Sequence, residues 1–194
     1  MPMSARDLVQ TGQLTLRNPR EAARVVMGWP LSLGELWSVL ALTAVISALV
    51  AQFVVAQSPQ DVDPVLGLML SSPLSFALIQ FIGLGILVLL TYGLGRQFGG
   101  TGSFAGTLAL IGWLQVILMV LQLAQVAALV LLPPLALMIS LFSVVLFAWL
   151  LTSFTAELHG FTSLIRTFSG MVASFIGLSV LLALFLVLVL GLEA

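Results

Sequence analysis

Arg96-Gln97-Phe98-Gly99-Gly100-Thr101-Gly102-Ser103-Phe104 separates two long apolar runs and holds one of only six cationic residues in the chain. Three glycines within four residues interrupt any helix. The stretch therefore reads as a hinge between two spans: Gly99 or Gly100 takes a left-handed conformation that closes the helix before it, and Thr101 or Ser103 caps the helix after it. Clustered glycine amides at a helix start also cradle phosphate. Here no strand precedes them, no lysine follows, and the spacing fits neither the Walker pattern nor the dinucleotide fingerprint, which leaves the hinge.

The composition around the hinge gives it its setting. The chain has 194 residues, of which 61% are hydrophobic and 7% charged, and its mean hydropathy is +1.24. A soluble core cannot hide that much apolar surface, since charged residues normally make up about a quarter of a soluble domain. The expected fold class is an all-α polytopic bundle with lipid as its first partner. A net charge of -1 and six arginines with no lysine give no nucleic-acid footprint. Without cysteine there is no disulfide or thiolate site, and no cofactor is implied. The opening residues lack the pattern of a removable signal peptide, so the first span is read as an uncleaved signal-anchor.

Five spans follow from hydropathy and helix punctuation, at about 36–55, 73–94, 104–132, 135–156 and 167–190. They form one segment, residues 33–194, behind a cytoplasmic lead of residues 1–32. In that lead, Asn18-Pro19-Arg20-Glu21 starts a short helix with Asn18 as N-cap and Pro19 in the first turn. This helix is expected to lie at the bilayer surface, with Trp29 at headgroup depth. The loop from Ala56 to Pro64 is broken by proline and acidic at Asp61 and Asp63. Ser72-Pro73 offers a cap and first-turn proline for span two, Pro133-Pro134 makes a tight turn, and the length of span three implies tilt or projection beyond the bilayer.

The arginines test this count. Arg6, Arg17, Arg20 and Arg24 precede span one, Arg96 follows span two and Arg166 precedes span five, so five spans put all six on one side. Short cytoplasmic loops collect arginine, which places the N-terminus inside and the C-terminus opposite.

Few residues suggest chemistry. Glu157 and His159 are adjacent acid and base candidates without a nucleophile or converging ligands, so neither catalysis nor a metal site is expected. His159 is read as lying near the last carbonyls of span four. Arg96 is assigned to lipid phosphate, a helix C-terminus or Glu157. Gln115, Gln122 and Gln125 share a face of span three within roughly 80°, serving interhelical hydrogen bonds or lining a polar path. Ser169, Ala173 and Gly177 repeat every four residues and form a packing face within the bundle or between protomers.

Taken together, Pro19-Arg20-Glu21-Ala22-Ala23-Arg24, the run from Gly95 to Phe104, Trp113-Leu114-Gln115 and Glu157-Leu158-His159-Gly160-Phe161 resemble bacterial members of the Yip family, the Ypt/Rab-interacting membrane proteins. The resemblance covers nearly the whole chain. It implies a cytoplasmic N-terminus, five spans and residence in the bacterial inner membrane. Rab GTPase binding is not carried over, because bacteria lack that machinery. The resulting expectation is a non-enzymatic scaffold or accessory protein that associates with other membrane proteins or with itself. The alternative is a small transporter, channel or lipid-handling protein with a glutamine-lined cavity.

Overall fold

A hinge at residues 96–104 requires one helix to end and another to begin inside the glycine run. The computed structural model, which describes residues 4–57 and 72–190, has both. Seven helices follow in order: α1 Ala5–Arg17, α2 Pro19–Met27, α3 Leu33–Gln57, α4 Pro73–Gln97, α5 Phe104–Leu131, α6 Pro133–His159 and α7 Leu164–Leu190. Among the described residues there is no strand. Five of the helices, α3 to α7, are long and apolar enough to cross a membrane. The expected acidic loop with Asp61 and Asp63 lies outside the described residues.

The helix ends show why the chain breaks where it does. Ser72 accepts the Ser75 amide ahead of Pro73, and Ser103 accepts the Gly106 amide at 3.0 Å, so each starts a helix with a satisfied donor. Gly99, at φ +84°, and Gly160, at φ +73°, take the left-handed conformation that ends α4 and α6. Pro133 and Pro134 turn out to open α6, the first-turn position where a missing amide costs nothing, so that Leu132 alone joins α5 to α6.

The hairpin of α5 and α6 forms the centre. α3 and α4 cover α5, α4 also touches α6, and α7 leans on α6. The best-buried part is the end where α5 begins and α6 finishes, with Leu108, Leu114, Leu150 and Phe154 in one cluster. Ala23 and Val26 of α2 belong to that same cluster. The short helix starting at Asn18 therefore turns its apolar face onto α5 and α6, and Trp29 meets Trp113 edge-on at 5.2 Å. The lead is joined to the bundle core rather than set apart from it.

The sequence reading missed α1. Its start carries a capping box, in which Ser4 accepts the Asp7 amide and Asp7 accepts the Ser4 amide. α1 folds back along α2 and reaches α5, where the indole nitrogen of Trp113 donates to Thr15 Oγ1 at 2.9 Å. Thr15 is 0% exposed, and it donates in turn to the Thr11 carbonyl.

Thr15→Val keeps the shape and removes the acceptor, which leaves the buried Trp113 N–H unpaired. The expected loss is about 1–3 kcal/mol, seen as a lower thermal midpoint in mild detergent with faster hydrogen exchange in α1. Thr15→Ser should restore most of it.

Candidate functional site: a histidine seated in the glycine hinge

His159 is the last residue of α6, and its ring does not stay with its own helix. It points across to the hinge. The Gly102 amide donates to Nδ1 at 3.3 Å, and Nε2 lies 3.1 Å from the Thr91 carbonyl of α4. An amide can only donate and a carbonyl can only accept, so Nε2 carries the hydrogen and Nδ1 the lone pair. Bonded this way the imidazole is neutral, and both nitrogens are engaged. The Thr101 amide adds a bond to the His159 carbonyl at 3.4 Å, and Phe161 stacks on the ring at 5.6 Å.

The glycines of the hinge acquire a reason from this arrangement. A Cβ on Gly95 or Gly100 would fall within the imidazole, and one on Gly102 would come within 2.7 Å of Leu158 Cγ. Only residues without side chains let α4 and the hinge close over the ring. Gly93, one turn-half earlier on α4, would meet nothing within 4 Å.

Charged residues gather around the same junction. Arg24 Nε donates to Glu157 at 2.6 Å, and the guanidinium of Arg20 donates to the Phe161 carbonyl. The bond to Glu157, and behind it that carboxylate's charge, raise Arg24 above its usual range. Glu157 thus pairs with Arg24 of α2, not with Arg96. Arg96 stands exposed in the last turn of α4, where a cation suits the helix dipole. Glu157 and His159 do not bond to each other, and among the described residues no three potential metal ligands converge.

The remaining candidates lie elsewhere. Gln115, Gln122 and Gln125 line one cavity of about 400 Å³ between α3, α4, α5 and α6, together with Gln80 and the hydroxyl-bearing Ser47, Ser140 and Ser143. One contact crosses it, from Gln122 Nε2 to the Ser47 carbonyl at 3.4 Å. Ser169, Ala173 and Gly177 of α7 are all exposed, and a Cβ on Gly177 would meet nothing within 4 Å. That ridge has no partner among the described residues.

A family model of the Yip1 domain matches residues 14–188. The chain belongs to the Yip1 family. No curated protein and no solved structure matches it. The matched stretch runs from the end of α1 to near the end of α7, so it takes in Thr15, α2, the hinge and His159. This Yip1-family protein is an integral membrane protein whose apolar helices contact lipid. The family is not a known enzyme family.

The seat of His159 sets opposite outcomes for two neighbouring glycines of one helix. Gly93→Ala should leave stability unchanged or raise it by about 0.5–1 kcal/mol, the usual helix preference for alanine. Gly95→Ala, with the same intrinsic preference, should cost about 3 kcal/mol through overpacking against the ring. Adding His159→Ala to Gly95→Ala should recover part of that loss, so that thermal midpoints of the four proteins give a non-additive cycle.

Proposed function

We propose that this Yip1-family protein is a non-enzymatic membrane scaffold or accessory subunit that works by packing its last helix against other membrane helices, second copies of itself included. One observation carries the reading: the ridge of Ser169, Ala173 and Gly177 is exposed along α7 while that helix leans chiefly on α6 among the described residues. Small residues spaced by four let two backbones approach closely, which is how helices associate in lipid without a hydrophobic driving force. The groups with chemical potential support the same view, since His159, Glu157 and the hinge amides are engaged in holding the bundle together.

The clustering of Arg20, Arg24, Arg96 and Arg166 around the junction of the hinge with the α6–α7 turn supports a cytoplasmic position for that end. In a bacterial cell the membrane would be the inner one. α1 completes the picture as an interfacial helix. It exposes Leu8, Val9 and Leu16 beside Arg6, Asp7 and Arg17, a mixture that suits the headgroup boundary.

The chain has no cysteine, so a single introduced thiol reports contacts cleanly. Ala173→Cys in native membranes should give a disulfide-linked dimer or a defined adduct under mild oxidation, and Gly177→Leu should suppress it. A protein that stays monomeric in both forms would sink the reading.

A second reading rests on the open cleft lined by Gln80, Gln115, Gln122 and Gln125, which offers amide and hydroxyl groups to a small polar solute between apolar helices. Vesicles containing the protein should then admit glycerol faster than empty vesicles in a light-scattering assay, and Gln115→Leu with Gln122→Leu should remove the difference. Equal rates for protein-containing and empty vesicles would dispose of a transport role for this solute class.

A further inference from the structure

α7 stands off from α4, and between them runs a groove of about 770 Å³, within the usual range for ligand sites. Its floor is α6. The walls are apolar, with Leu87 and Leu94 from α4, Phe147 and Leu151 from α6, and Met171 and Phe175 from α7. Most of the polar groups gather towards one end, with Ser174 further along α7. Arg166 lines that end, and no side-chain partner for its guanidinium occurs among the described residues. Thr155 lines it too, and its hydroxyl is the notable group: the residue is 5% exposed and Oγ1 has no hydrogen-bond partner. A buried hydroxyl left unpaired is costly, so a group in the groove that accepted a hydrogen bond from Thr155 would relieve that cost.

The form of the groove indicates what that group belongs to. From Arg166 to Leu178, the deepest groove residue on α7, is twelve residues, or about 18 Å of helix. One leaflet with its headgroups is about 20 Å deep. A cation and the start of a helix at the outer end, an apolar channel one leaflet long beneath them, and a hydroxyl between the two match an anionic headgroup, an acyl chain and the glycerol esters that join them. We propose that this groove holds one anionic glycerophospholipid of the surrounding bilayer, with its phosphate at Arg166, its ester region at Thr155 and one acyl chain laid between α4 and α7. The groove lies about a third of a turn round α7 from the Ser169–Gly177 ridge, so the inference is independent of helix association through that ridge.

Native mass spectrometry of the full chain in mild detergent tests it, with phosphatidylglycerol and phosphatidylcholine of identical acyl chains as probes. The first phosphatidylglycerol should bind about tenfold tighter than phosphatidylcholine, because both offer a phosphate to Arg166 but the choline cation of the second offsets that charge and is repelled by the guanidinium. Arg166→Gln should erase that preference, and Thr155→Val should weaken both lipids. Gly170 lines the groove with open space where its Cβ would be, so Gly170→Leu should block the first lipid without lowering the thermal midpoint. Equal affinity for the two lipids in the parent protein, or a first lipid that survives Gly170→Leu, would overturn the proposal. So would a groove filled by α7 of a second copy, seen as a dimer that excludes lipid.

Discussion

The bundle depends on one close approach, the packing of the His159 imidazole against a surface of backbone. α4 with the hinge that follows it, and α6, arrive from two distant parts of the chain, and the glycines of the first leave room that a side chain would spoil. Gly95 and Gly100 leave space for the ring, Gly102 donates its amide to it, and Thr91 offers its carbonyl. Inside an apolar bundle an unbonded imidazole nitrogen or hinge amide would be expensive. Satisfying them against each other removes several such costs at once and fixes the tautomer. The left-handed glycines that end α4 and α6 sit within one or two residues of this contact, so chain reversal and polar satisfaction are solved in the same place.

Around this contact the N-terminal helices act as a cover. Ala22, Ala23 and Val26 are fully or almost fully buried, and only small side chains permit α2 to lie so close to α5 and α6. Arg20 and Arg24 on the outer side of α2 then reach the α6–α7 junction, one to the Phe161 carbonyl and one to Glu157. The cover is thus sealed by apolar contact below and by charge above. Its aromatic edge, with Trp29 against Trp113, continues the seal towards α1.

Much of this was legible in the sequence wherever the determining signal is local. Span number, the caps at Asn18, Ser72 and Ser103, and the left-handed residue after α4 all follow from residues within a few positions of one another. The capping box at Ser4 and Asp7 was equally local and marked the start of α1, but the polar composition of the segment masked it. What could not be read is what depends on distant partners. Gly102 and His159 are 57 residues apart, Thr15 and Trp113 are 98 apart, and Arg24 reaches Glu157 across 133. Glycine spacing alone cannot distinguish a loop that needs freedom from one that needs room. The three glutamines on α5 show the reverse case, because helical periodicity placed them on one face and the cavity they line is the spatial form of that periodicity.

The single-residue join at Leu132 has a mechanical consequence. α5 and α6 are fastened to each other at one end by covalent chain and at the other by the histidine seat, so the pair forms a frame braced at both ends. α3, α4 and α2 are bolted to that frame by the shared core. α7 hangs from it by a short turn and one flank, with an open channel on its other side. Of the five long helices α7 is thus the one with the fewest ties to the core, fastened through the turn at residues 160–163 like a door hung on a jamb.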